Sequence, residues 1–505
     1  MSRDSASAAD RPGHLGFGID FGTTNSVVGI CEAGLTRALL DGDRPNPSVV
    51  WFRADGDVIV GRQAKRSING YSEVPGNTFI SSVKVQLGNE RTFRVAGQPK
   101  SAPEVAAEIF KFLIRQAREQ HSLTVREGVV TIPVDFHGEA RRDLRTAAEE
   151  AGFYVKTFIH EPFAAVVAYC LRKKGQSIRE LEGKNVLVFD WGGGTLDITI
   201  AAIRSGRMIQ LAKGDLGHRA GDFFDEKMMR LSHHRYLESS NLSPEEAPVA
   251  ASLKDRYLAE CERVKIELSD KASESLGLAS AFRVDGRVYD ISQHWARGDF
   301  ESNVNVDVRD AMAKVDAVTE EARLTPRDID LVLLIGGSSR IPLVQREMQE
   351  RFGSRITHVK NADTIIAEGA ALVDYMGMHP VLARSIGVRL SNGAFYELFP
   401  AGTMAKPGIC EKTINFFCTD NRDGEAKLVL VEKYEGREMN ERILGIPVSA
   451  ELPRKYNHSE RVSVTLSLDE DLVLRVFGKG ATQERHASAE YHDLLFALDI
   501  SGVRS

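Results

Sequence analysis

One short design occurs twice in this chain: a strand-sized apolar run ending in an aspartate, a glycine and threonine turn, and a second apolar run. In the first copy the runs 15–21 and 25–31 flank GIDFGTTNS at 18–26. In the second, 185–190 and 195–203 flank DWGGGTLD at 190–197. A third glycine turn, Gly336-Gly337-Ser338-Ser339-Arg340, follows the apolar run 331–335. Glycine lets a backbone turn tightly and approach a ligand closely, so that successive N–H groups point at one anion. A repeated strand, acid, turn and strand predicts a duplicated core with two such hairpins facing each other across a cleft.

At 505 residues the chain exceeds one ordinary core, which predicts about three or four domains. Its 42% hydrophobic and 27% charged residues are those of a globular protein, and a formal net charge of -6 recruits neither nucleic acid nor a membrane surface. The longest apolar runs are far short of the roughly 20 residues that span a bilayer. The first residues carry acids and no apolar centre, so 1–14 reads as a disordered tail rather than a secretory signal. Five scattered cysteines, Cys31, Cys170, Cys261, Cys410 and Cys418, form no CxxC pair, which argues against zinc or a disulfide framework and for a reducing, cytoplasmic setting.

Between the glycine turns the pattern is helical. Ser101, Pro103 and Glu104 have the form of a capping box, and helices are expected over 161–173, 253–268, 306–322, 342–351 and 364–376. The fold class through about residue 378 is therefore α/β. After it come short alternating runs at 394–399, 414–418, 427–431, 442–448, 462–468 and 472–477, which predict an all-β domain, a sandwich of about 100 residues. The final stretch, 487–505, shows no pattern. The expected division is a tail at 1–14, a nucleotide-binding domain at 15–378, a linker at 379–384 and a β domain at 385–505.

Asp20 and Asp190, each closing a strand at a glycine turn, suit the water shell of magnesium, an ion that takes only one or two protein carboxylates. A lone aspartate there caps its own turn more often than it binds metal; the matched pair favours function. Thr23, Thr24 and Thr195 offer hydroxyls to phosphates, and Gly22, Gly192, Gly193 and Gly194 offer N–H groups. Neither turn is a GxxxxGK[ST] P-loop. Phosphoryl hydrolysis also needs a positioned water and a neutralising charge, and composition cannot choose those residues.

Six ordered motifs resemble the seventy-kilodalton heat-shock chaperone family of the actin and sugar-kinase ATPase superfamily: GIDFGTTNS at 18–26, VVTIPVDF at 129–136, HEPFAAVVAY at 160–169, FDWGGGTLDI at 189–198, CERVKIELS at 261–269 and IGGSSRIPLVQ at 335–345. The resemblance covers residue 15 to about 480 and implies a two-lobed, actin-like ATPase domain followed by a peptide-binding sandwich. It places phosphate contacts on Gly22, Thr23, Thr24 and Asn25 and on Gly192 to Thr195, and the magnesium-side acids on Asp20 and Asp190. Lys84 corresponds to the family's catalytic lysine, in a segment one residue longer than usual. Glu161 corresponds to the carboxylate that orders the attacking water, with Asp190, Thr195 and Asp197 beside it. Adenosine contacts fall on Gly221, Glu262, Lys265, Ser269, Gly336, Gly337, Ser338, Arg340 and Asp363. Pro133 and Arg141 match a relay from the nucleotide to the substrate domain.

The same resemblance implies ATP and ADP as ligands, magnesium as cofactor, unfolded polypeptide or a dedicated protein as client, and a J-domain co-chaperone and an exchange factor as further partners, in protein folding and the stress response. Several departures stand out. About 25 residues follow Gly480, so no C-terminal helical lid is expected; the leucine-rich linker is reduced to residues 380–384; Thr157 replaces a usual base at the J-domain contact; Phe163 replaces a usual threonine; and Leu472 replaces a usual glycine. The expectation is an ATP-hydrolysing chaperone. The alternative is an ATP-binding scaffold with one dedicated partner, and a sugar kinase is disfavoured by the β domain.

Overall fold

The computed structural model describes residues 14–72, 74–172, 178–359, 361–405, 410–434, 436–450 and 460–500. The expected tail therefore lies outside the described residues except for His14, as does residue 173, the expected end of one helix.

The two hairpin motifs occupy equivalent places in two sheets. In the first, Tyr154–His160, Glu127–Ile132 and Leu15–Phe21 run parallel, and Asn25–Glu32 and Leu35–Leu39 continue antiparallel. The second repeats this with Ile356–His358, Leu331–Ile335 and Asn185–Trp191 parallel and Leu196–Arg204 and Arg207–Asp215 antiparallel. The duplication expected from sequence is present strand for strand. The central strands are apolar on both faces because helices cover them.

Two helices fill the space between the sheets. Ile365–Met376 is buried along nearly its whole length and packs on the first hairpin; Glu161–Arg172 packs on it in turn. Their contact is close enough that a Cβ on Gly369 would lie 1.8 Å from the Ala164 carbonyl oxygen, so only glycine fits there. Each lobe carries an outer piece: the small sheet Val49–Phe52, Val58–Val60 and Thr78–Ser81 with helix Arg62–Tyr71 on one, and the ribbon Ser273–Val284 and Arg287–Ala296 with helices Gly221–Ser240, Ala251–Asp270 and Arg297–Glu321 on the other. That last helix starts well before the expected 306, because its first turn is polar. Helix Ala102–His121 begins at the predicted capping box, with the Ser101 hydroxyl accepting from the Glu104 N–H and the Glu104 carboxylate accepting from the Ser101 N–H.

The described residues between 385 and 491 form the β sandwich. One sheet has the order Phe395–Phe399, Ser385–Arg389, Glu425–Tyr434 and Arg437–Pro447; the other Glu411–Phe417, Arg461–Leu468, Leu474–Gly480 and His486–Tyr491. Its core is continuous with that of the first lobe: a single buried cluster runs from Phe17 and Phe110 to Val464, Leu474 and Phe496.

The final stretch, expected to lack pattern, is ordered in two pieces. His486–Tyr491 completes the sandwich, and Phe496–Asp499 returns to the second lobe as the sixth strand of its sheet, between Arg207–Asp215 and the strand Pro380–Leu382. Four residues are too few for a visible period. Among the described residues no helix is long and apolar enough to cross a membrane.

Candidate active site

The two duplicated turns meet face to face where the lobes join. A Cβ on Gly193 would fall 1.9 Å from Thr24 Oγ1, and one on Gly194 would fall 2.4 Å from Thr23 Oγ1. The glycines are what allow that approach. The hydroxyl of Thr24 is buried and has no hydrogen-bond partner among the described residues, an arrangement that costs free energy unless a ligand supplies the partner.

Around this contact the structure gathers Asp20, Lys84, Glu161, Asp190 and Asp197. Asp190 and Asp197 are direct partners in the second hairpin, so both carboxylates leave the same face. Thr195 Oγ1 donates to Asp197 at 2.7 Å, and Thr131 Oγ1 donates to Asp20 at 3.0 Å. Lys84 lies in a single 3-10 turn, Val83–Gln86, entered through Ser82 in the left-handed conformation at φ 53°. Its Nζ is 2.6 Å from Glu161 Oε1, and both side chains are buried. Glu161 opens helix Glu161–Arg172, where the helix dipole favours a negative charge.

Four carboxylates thus share one lysine. Burial, followed by the charge of Glu161, pushes Asp20 up to about 6 and Asp197 up to about 7. The same two causes hold Asp190 well above the carboxylate range, with Asp197 and Asp20 adding to them. Burial alone would lower the Lys84 ammonium, but the charges of Glu161 and Asp20 outweigh it and leave it raised. The cluster relieves its surplus negative charge by retaining protons or by accepting a cation. Among the described residues no three His, Cys, Asp or Glu side chains are placed to chelate an ion directly. A divalent cation would therefore be held largely by phosphate oxygens and water, the way magnesium is usually carried.

On the second lobe, Gly192, Gly193, Gly221, Lys265 and Ser338 come together. The Gly221 N–H and the Ser338 hydroxyl both donate to the Gly192 carbonyl, and Lys265 Nζ donates to Gly221 O and Asp225 Oδ2 at 2.9 and 2.7 Å. Gly336 has φ 77° and no room for a Cβ against Trp191 O. Ser269 Oγ donates back to the Lys265 carbonyl at 3.4 Å. Arg340 and Asp363 pair at 3.3 Å on the surface, and Gly337 borders open space. Asn25 is exposed, and Gly22 O accepts from the Ser48 hydroxyl. The Glu262 carboxylate is engaged by Lys65 of the opposite lobe at 2.6 Å, which with Lys265 outweighs its burial and holds it low.

Sequence reasoning missed Asp222 and Asp225. Asp222 accepts from Ser82 Oγ at 2.5 Å across the lobes, and burial pushes Asp225 up to about 7 despite Lys265. Their spacing after Gly221, at the start of a helix, was the available signal. Lys65, which closes the lobes on Glu262, carries no local signal.

A second polar cluster joins the lobes to the sandwich. Arg141 Nη1 donates to the carbonyls of Asp471 and Leu472 at 2.9 and 3.1 Å, and its Nε donates to Phe136 O at 2.7 Å; burial pulls its guanidinium down to about 10. Phe136 N–H in turn donates to Pro133 O. Arg145 pairs with Asp471 at 2.8 Å. Leu472 is buried at φ 60°, a left-handed conformation that favours glycine. Thr157 is buried in a strand and presents no charge. Further along, Glu432 of the sandwich binds both Arg384 (3.2 Å) and Arg442 (2.8 Å), and Arg442 reaches Asp493 at 2.9 Å. Arg384 also donates to Leu211 O of the second lobe.

A duplicated core holding a buried acid cluster between two glycine turns defines an actin-like, nucleotide-dependent machine. The family model for the Hsp70 protein matches residues 16–489, and the chain belongs to that family. It is similar to the chaperone protein DnaK of Thermosipho africanus, with 29% identity over 486 residues, 92% of this chain and 77% of the relative. For the chaperone protein DnaK of Thermotoga maritima the identity is 29% over 481 residues, 92% and 78%. For the chaperone protein dnaK of Cyanidioschyzon merolae it is 30% over 504 residues, 92% and 79%.

Proposed function

We propose that this chain is an ATP-dependent molecular chaperone that binds and hydrolyses ATP between the lobes and couples the nucleotide to polypeptide binding by the sandwich. Residues 15–378 act as the ATPase domain, 379–384 as the linker and 385–495 as the client domain, with 496–499 rejoining the ATPase sheet. The observation that carries this reading is the surplus of buried carboxylates around Lys84 beneath the unpartnered hydroxyl of Thr24.

The turns at Gly22 to Asn25 and Gly192 to Thr195 separate to admit the phosphates, which take their N–H groups and the hydroxyls of Thr23 and Thr24. Gly221, Glu262, Lys265, Ser269, Gly336, Gly337, Ser338, Arg340 and Asp363 form the nucleoside end. Asp20 and Asp190 would hold a magnesium ion through its waters, and the ion would neutralise phosphate charge. Glu161, with Asp197 and Thr195, orients the attacking water and receives its proton, while the Lys84 ammonium neutralises charge on the terminal phosphate. Arg141 carries the state of the cleft to the sandwich through Asp471 and Leu472. Exposed Phe417, Ile443 and Phe477 offer apolar contact to an unfolded client. A J-domain protein and an exchange factor complete the cycle.

Single-turnover hydrolysis should fall by about 100-fold or more in Lys84→Ala and in Glu161→Ala, with nucleotide affinity within about threefold of the parent. Near-normal turnover in both would overturn the assignment. A panel of unfolded peptides, titrated with and without ATP, separates a chaperone from a scaffold with one partner.

A further inference from the structure

The strand Pro380–Leu382 joins the second lobe's sheet by pairing with the return strand. Met208, Leu498 and Pro380 lie in one row across the sheet, and Ile209, Ala497 and Val381 in the next. The segment leading into this strand is tied down by the ion pair of Asp493 with Arg442, itself held by buried Glu432. A stretch so short and so heavily anchored holds the sandwich against the second lobe.

The two faces of the strand meet different surroundings. Leu495 and Ala497 pack with Val381 and Ala383 against Ile209 and Met404. On the opposite face Phe496 is buried, and its ring meets that of His160 at 6.1 Å between centroids; His160 meets Phe163 at 6.2 Å. The His160 ring is buried, and its Nε2 has no hydrogen-bond partner among the described residues. Burial, with Arg141 and Lys213 nearby, keeps it neutral, so packing rather than charge sets its position. The next residue in the chain is Glu161, 2.6 Å from Lys84.

We propose that residues 493–499 are a positioning strap for the ATPase: Phe496, acting through His160, holds Glu161 in register with Lys84. Phe496 and His160 are positioning residues and touch no substrate. The proposal rests on the reading of Glu161 as the water-orienting acid.

The test is single-turnover hydrolysis of magnesium ATP by the full chain, with ATP affinity measured in parallel. Phe496→Ala should slow hydrolysis by about tenfold or more while affinity stays within about threefold, because small displacements of a catalytic group are costly. Phe496→Leu, which refills the space, should recover to within about threefold of the parent, and Leu495→Ala, on the other face of the strand, should stay within the same range. If Phe496→Ala does not fold, Phe496→Val must still lose at least about threefold. Unchanged or faster hydrolysis in the Phe496 truncations, or an equal loss in Leu495→Ala, overturns the proposal. Glu161→Ala separates the two readings: if it abolishes hydrolysis while the Phe496 truncations are silent, the strap fails and the site stands. If Glu161→Ala is active, both fail.

Discussion

The molecule holds two clusters of charge that are opposite in balance. In the cleft, Asp20, Glu161, Asp190 and Asp197 face, among the described residues, Lys84 alone; at the joint, Arg384 and Arg442 face buried Glu432 and exposed Asp493. The joint neutralises itself and is built to hold chain to chain. The cleft does not, and it is built to receive what it lacks. Burial thus marks neither cluster as functional by itself; the missing countercharge does.

The comparison breaks most visibly at Glu432. Glu432→Ala leaves Arg384, among the described residues, with the Leu211 carbonyl, and removing one partner of a buried pair costs about 3–5 kcal/mol. Denaturant unfolding should show that loss, and a cost below about 1 kcal/mol would make the joint an ordinary surface contact.

In the cleft the sign reverses. The folded protein holds protons on Asp20 and Asp197 up to about 6 and about 7, against an ordinary 3.8. The folded state therefore binds more protons than the unfolded chain between about pH 4 and pH 7, and its stability falls as pH rises through that window. Nucleotide-free protein should melt higher at pH 6 than at pH 8. Asp197→Asn should flatten this slope, raise the midpoint at pH 8 by at least about 2 °C, and lose hydrolysis. A lower midpoint would show that the cluster is already balanced.

The smallest effect is expected at Leu472. Leu472→Gly relieves a left-handed leucine, worth about 1–2 kcal/mol, but empties a buried site worth more, for a net loss of about 1–2 kcal/mol. The Arg141 bonds should survive, because they fall on backbone carbonyls. A loss above about 3 kcal/mol would place more of the joint's strength in this side chain than in the ion pairs.

Much of the ATPase body was legible because its elements are long and punctuated. The duplicated hairpins, the capped helix at Ser101 and the helix beginning at Glu161 all announce themselves within a dozen residues. What escaped recognition depends on partners distant in the chain. Lys65 meets Glu262, Ser82 meets Asp222 and Arg384 meets Glu432, and no local pattern foretells such pairs. Phe496–Asp499 is hidden for a second reason: it is a central strand too short to show alternation, and its burial comes entirely from neighbours contributed by other parts of the chain.

The return strand also bears on the order of events during synthesis. Arg207 waits for Asp499 before the second lobe's sheet gains its sixth strand, so the sandwich has to emerge from the ribosome before that edge can close. Such a long-range pairing slows folding and leaves an unpaired strand edge exposed in the interval. This chain thus passes through a stage at which it is itself an aggregation-prone, incompletely folded polypeptide.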